Sequence, residues 1–143
     1  MDKIYNDNFS ISEVIYSGEI EGTNYEWYIK SIEGSHPCAY ISVDKDCKYY
    51  KKDLEYELED IVHGGITYCN PYLEGVCERK DEKWVFGWDY AHTGDYTRDS
   101  FPMGDFMSFT GKDEDWGNQG GKKWSKEEIL KDIYRLAKWL NED

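Results

Sequence analysis

Trp124-Ser125-Lys126-Glu127-Glu128-Ile129-Leu130-Lys131-Asp132-Ile133-Tyr134-Arg135-Leu136-Ala137-Lys138-Trp139-Leu140 reads as a helix, and it decides the fold. Ser125 with Glu128 three residues later is a capping box: each side chain can satisfy the other residue's backbone N–H. Trp124, one position outside, is spaced to staple onto Ile129. Ile129, Leu130, Ile133, Leu136, Ala137 and Leu140 recur at helical spacing and form one apolar stripe. The same wheel turns Lys126, Glu127, Lys131, Asp132 and Lys138 outward. A stripe of this kind must be buried against another element, and the preceding chain reads as strands.

Working back from the helix, Lys83-Trp84-Val85-Phe86-Gly87-Trp88-Asp89-Tyr90 is the most apolar strand and is expected at the centre. Glu13-Val14-Ile15-Tyr16 and Tyr25-Glu26-Trp27-Tyr28-Ile29-Lys30 flank Gly18 and Gly22-Thr23-Asn24, the signature of a hairpin. Cys38-Ala39-Tyr40-Ile41-Ser42-Val43 follows a break at Gly34-Ser35-His36-Pro37. Ile61-Val62-His63-Gly64-Gly65-Ile66-Thr67-Tyr68 reads as a strand interrupted by two glycines, which imply a bulge or a close backbone approach. Residues 44–60 read as an exposed connection, and 93–123 as a long loop of the functional or mobile kind. Strands first and one late helix predict a single α+β domain over 1–143: an antiparallel sheet of about five strands with a C-terminal amphipathic helix packed on it.

The composition limits the partners. Thirty acidic residues against seventeen basic ones leave a formal net charge of −13. Direct binding to nucleic-acid phosphate or to an anionic membrane needs clustered Lys and Arg, so neither is expected. Aromatic residues make up 17% of the chain, which argues against a solvating acidic tail. No apolar run approaches the roughly 18 residues of a membrane span. The N-terminus lacks the pattern of a signal peptide, so a cytoplasmic location with reduced cysteines is expected. Cys38, Cys47, Cys69 and Cys77 contain no C-x-x-C knuckle, so a structural zinc site is not expected. No other cofactor is expected either.

Chemistry, if present, belongs to the glycine-pair segment and the end of the apolar strand. Were these adjacent strands, His63, Thr67, Asp89, His92 and Asp95 would converge near one sheet end. His63, Asp89, His92 and Asp95 are competent metal ligands and equally competent acid–base groups. Gly64 and Gly65 could offer backbone N–H groups to a phosphate, and Tyr68, Trp88 and Tyr90 could stack on a base. The plainer alternative is turn chemistry, with His63 bonded to local backbone and Asp89 and Asp95 capping turns. No G-x-S-x-G, P-loop, H-E-x-x-H or dinucleotide motif is present, and Asp44–Glu55 fails as a calcium loop because Tyr49 stands where glycine is required. Separately, if residues 53–59 were extended, Glu55, Glu57 and Glu59 would share a face at about 6.6–6.8 Å spacing and imitate a phosphate backbone.

His36-Pro37-Cys38-Ala39-Tyr40-Ile41, Val62-His63-Gly64-Gly65-Ile66-Thr67-Tyr68 and Trp84-Val85-Phe86-Gly87-Trp88-Asp89-Tyr90-Ala91-His92-Thr93-Gly94-Asp95 resemble, in that order, motifs of an uncharacterised family of small tailed-phage and prophage proteins. The resemblance covers about residues 36–141 and includes the terminal helix. Tyr90 departs from the cysteine usual in that family, and Trp88 from its phenylalanine; Cys47 stands about where a His-Pro pair is common. The Tyr90 departure weakens any thiol chemistry at that position. The family signature falls on His63, Gly64, Gly65, Thr67, Tyr68, Gly87, Asp89, Ala91, His92, Gly94 and Asp95.

The resemblance implies a genetic setting and no reaction. The expectation that follows is a phage accessory protein in the host cytoplasm, a binding-type inhibitor of an antiviral defence. Its partner would be a host defence protein or a nucleotide messenger held near His63, Gly64, Gly65, Thr67, Tyr68, Trp88, Asp89, His92 and Asp95, with homo-oligomerisation open. The alternatives are an acidic DNA mimic and a small metal-dependent hydrolase on His63, Asp89, His92 and Asp95.

Overall fold

The computed structural model describes residues 3–5, 12–71, 73, 83–91, 95 and 122–142. Turn residues set the first three strands, β1 (Ser12–Glu19), β2 (Glu26–Ile32) and β3 (His36–Val43). Between β1 and β2 the Thr23 hydroxyl donates to the Ile20 carbonyl at 2.7 Å and accepts from the Tyr25 N–H at 3.0 Å. Between β2 and β3 only Glu33 and Gly34 have positive φ, +54° and +68°, and Ser35 N–H donates to Ile32 O at 2.8 Å. Two left-handed residues are what a right-twisted hairpin favours.

β4 (Tyr68–Asn70) and β5 (Trp84–Asp89) complete a five-stranded antiparallel sheet in the order β1-β2-β3-β5-β4. The expected α+β architecture is therefore present. The middle position belongs to β3, however, and β5 lies one place towards the edge. β4 and β5 are neighbours, with Tyr68 opposite Gly87.

Helix α1 (Lys126–Asn141) starts at the capping box, where Glu128 N–H donates to Ser125 Oγ at 3.2 Å and Ser125 N–H to Glu128 Oε1 at 3.0 Å. Its stripe buries Ile129, Ile133, Leu136, Ala137 and Leu140 against one face of the sheet. That face is built by alternate residues: Trp27 and Ile29 from β2, Ala39, Ile41 and Val43 from β3, Phe86 and Trp88 from β5. The opposite face carries a smaller cluster of Tyr40, Val85 and Leu73, flanked by Tyr28, Cys38 and Tyr68. Among the described residues no helix is long and apolar enough to cross a membrane.

Four further expectations are corrected. Residues 61–64 form a turn and 65–67 an irregular exit from it, not a strand, because Gly64 and Gly65 take φ of +73° and +80°. The glycine pair does mark a close approach: a Cβ on Gly65 would stand 2.8 Å from the Glu57 carbonyl oxygen. Residues 53–59 are not extended, since Tyr56 and Leu58 have φ of +65° and +66°, so Glu55, Glu57 and Glu59 do not form the regular row of a strand. The 44–60 connection is also less detached than expected, with Cys47 and Leu54 buried and Tyr49 stacked on Trp139 of α1. Finally, Asp132 is buried at 3% exposure on the inner side of α1. The 93–123 segment lies largely outside the described residues.

Candidate functional site

Three separate pieces of chain meet at the start of α1. The glycine-pair turn supplies His63, a short parallel bridge between Asp95 and Lys122 brings Asp95 alongside, and the residue before the N-cap supplies Trp124. His63 Nε2 lies 2.6 Å from Asp95 Oδ2, and Trp124 Nε1–H donates to Asp95 Oδ1 at 2.9 Å. Both oxygens of a carboxylate whose side chain is 3% exposed are therefore engaged. The His63 imidazole is stacked parallel to Tyr90, 5.2 Å between centroids and 5° between planes, with Trp124 tilted against it at 4.6 Å. Pinned in this way, the ring keeps 25% of its side-chain surface exposed.

Beneath this pair is a buried network centred on Asp132. Trp88 Nε1–H donates to the Tyr90 hydroxyl at 2.9 Å, and that hydroxyl donates to Asp132 Oδ2 at 2.8 Å. The His63 backbone N–H donates to the same oxygen at 3.2 Å. The Arg135 guanidinium binds Asp132 Oδ1 and also donates through Nε to the Ile61 carbonyl at 3.1 Å. Asp132 thus fastens β5, the His63 turn and α1 to one another. Burial pushes the Tyr90 hydroxyl well above its ordinary pKa, and the Asp132 carboxylate adds to the push, so Tyr90 serves as a neutral donor.

Above the pair opens a depression of about 280 Å³, lined by Glu59, Asp60, His63, Trp124, Lys131 and Arg135 among others. Glu128 stands on its wall, ion-paired with Lys122 at 2.7 Å. The Lys122 contact and the Ser125 N–H hold the Glu128 carboxyl below the usual range. Both signs of charge therefore face the opening.

Of the expected site residues, His63 and Asp95 come together. Asp89 does not join them: it follows Trp88 onto the opposite face, opposite Cys38, and its Oδ1 accepts from the Ala91 N–H at 3.1 Å in a local turn. Thr67 has its N–H on the Gly87 carbonyl at 2.9 Å, and Tyr68 packs edge-on against Tyr40 on that opposite face. Gly64 and Gly65 shape the turn that carries His63. Trp88 is fully buried, and Tyr90 is too, so neither offers a face to a base. His92 and Gly94 lie outside the described residues, and among those described no group of three His, Cys, Asp or Glu could hold a metal ion.

Asp132 and Arg135 were missed by the sequence reading, though a signal existed for the first. Asp132 stands three residues after Ile129 and four before Leu136, within the apolar stripe, and a carboxylate there requires buried donors. Comparison of the chain with family models, with curated proteins and with solved structures returns no match.

Proposed function

We propose that the chain is a phage-encoded binding protein that acts in the host cytoplasm on a protein component of an antiviral defence. The phage setting rests on the paired His-Gly-Gly and Asp-Tyr-Ala-His motifs. The observation that carries the binding reading is the His63 imidazole, held by Asp95, Tyr90 and Trp124 and a quarter exposed on an open depression with Lys131 and Arg135 beside Glu59 and Glu128.

A side chain fixed before the partner arrives loses little freedom on binding, which favours it as an anchor. Sites for drug-sized ligands are mostly apolar and enclose most of the ligand, typically in ~300–1,000 Å³. An open, mixed-charge depression of about 280 Å³ supports a protein surface over an engulfed nucleotide messenger.

The test expresses the chain in hosts that each carry one defence system and measures plating of a phage sensitive to that system. Restored plating against one system is expected, with the effect lost in Lys131→Glu, an exposed change on the wall of the depression. Unchanged plating across every system sinks the proposal. A nucleotide that co-elutes stoichiometrically with the purified protein would move the target from protein to messenger.

A further inference from the structure

The sheet ends on one side in a long edge strand. β1 is outermost in the order β1-β2-β3-β5-β4, and among the described residues no strand pairs with its outer side. β4, at the other end, has only three residues. The Ile20 N–H donates to the Tyr25 carbonyl at 2.9 Å, which makes these two a hydrogen-bonded pair. Antiparallel pairs alternate, so Gly18 bonds to Trp27 next, while Glu19 and Ser17 turn their N–H and C=O groups away from β2. Both residues are exposed. A bulge between Val14 and Tyr16 ends the regular edge, so residues 16–19 are the stretch on which another strand can be laid.

The charge at the end of this edge has one sign. Glu19 lies directly opposite Glu26, on the face away from α1, and like charges opposed in this way destabilise a sheet. Beside them is a depression of about 370 Å³ whose lining includes Glu19, Glu26, Asp44 and Lys83, three acids against one lysine. An edge with unpaired main-chain groups therefore runs into a place that lacks positive charge. Such an edge is a template for a further strand.

We propose that β1 accepts an extended basic segment of a protein partner as a sixth strand of the sheet. Main-chain hydrogen bonds to Ser17 and Glu19 supply the affinity. A Lys or Arg opposite Glu19 supplies the specificity, its cation set beside Glu19 and Glu26 at the rim of the acidic depression. The overall charge of −13 steers such a segment to the molecule. A second copy of the chain fits poorly, because β1 contains no Lys or Arg and would bring its own Glu13 and Glu19 onto an acidic edge. The inference rests on the chain's being a protein-binding molecule, and it uses none of the residues that line the His63 depression.

Fluorescence anisotropy of a labelled six-residue peptide of alternating lysine and valine tests it directly. The comparison is a peptide of alternating lysine and proline, equally charged but unable to complete a strand ladder. The lysine–valine peptide should bind. Ser17→Pro should weaken it about tenfold, because proline removes an outward N–H and leaves the bonds to β2 in place. Glu19→Gln should weaken it about two- to fivefold, the effect of one exposed charge, and guards against misfolding of the proline variant. Equal affinity for the lysine–proline peptide would reduce the attraction to bulk charge and overturn the proposal. No binding at millimolar peptide, or unchanged affinity in either folded variant, would do the same. A chain that sediments as a dimer, and as a monomer in Ser17→Pro, would give the edge to a second copy and equally overturn it. The peptide assay needs no defence system, and the Lys131→Glu plating assay does not touch β1, so each reading can fail without the other.

Discussion

The two faces of the sheet are furnished by the same strand and held in different ways. Towards α1, Trp88 and Tyr90 bury polar atoms that must be satisfied: the Trp88 indole N–H donates to the Tyr90 hydroxyl, and that hydroxyl donates to Asp132. On the far side, Val85 and Gly87 alternate with them, and the Tyr40 ring sits where a Gly87 side chain would be. One face depends on a hydrogen-bonded network, the other on steric fit. The networked face reaches the depression beside α1 through His63. A binding site needs a fixed but partly exposed polar group, and a network supplies that where close packing does not.

Removing the centre of the network should give the largest effect. Asp132→Ala leaves the Tyr90 hydroxyl and the His63 N–H buried without an acceptor, each worth about 1–3 kcal/mol. We expect a loss of about 4 kcal/mol by urea denaturation, the middle of that combined range. A loss below about 1 kcal/mol would mean that apolar packing alone holds α1. The far face answers to a different change. A Cβ on Gly87 would come within 2.5 Å and 2.7 Å of Tyr40 ring carbons and 3.1 Å of the Tyr68 Cβ. Gly87→Ala should cost about 1–3 kcal/mol by overpacking. Combining it with Tyr40→Leu should cost less than the sum of the two, whereas strict additivity would remove steric fit as the explanation.

Tyr90→Phe comes next, because it removes one hydroxyl and keeps the ring on His63. About 1–2 kcal/mol is expected, since Trp88 Nε1–H then loses its acceptor. The same variant should leave the Gly87–Tyr40 coupling untouched. A change there would show that the faces are not independent.

The contrast also explains what was legible in the sequence. Helix α1 and its capping box were written in local terms, as were the turns around β1 to β3, because spacing and turn residues act over a few positions. His63 and Asp95 could be named as chemistry-bearing, but their meeting depends on the bridge between Asp95 and Lys122, which no local pattern encodes. Ile61–Thr67 looked like a strand because its apolar residues flank two glycines; the left-handed conformations of Gly64 and Gly65 turn those residues inward instead. Asp132 was assigned outward from its charge, although its position lay in the stripe. Asp89 and Asp95 read alike in sequence, and strand alternation separated Asp89 from His63.

The smallest expected effect concerns the far face at alkaline pH. Burial pushes the Cys38 thiol from its ordinary 9.0 up to about 12, and the Asp89 carboxylate opposite adds to the push. The folded state therefore holds this proton more tightly than the unfolded chain does. Stability from this group is intact below pH 9 and is lost as pH rises from there to about 12. Cys38→Ala should leave stability near pH 7 changed only by its packing loss and should flatten the decline between pH 9 and 12. The flattening is partial, because burial, followed by the Cys38 charge, also raises the Tyr40 hydroxyl, which stays in the variant. Cys69, raised only to about 11, should alkylate with iodoacetamide before Cys38 at pH 9. Cys38 reacting first, or an alkaline limb unchanged by its removal, would show that the far face is open to water. Its closeness at Gly87 and Tyr40 would then be too loose to set against the network on the other side.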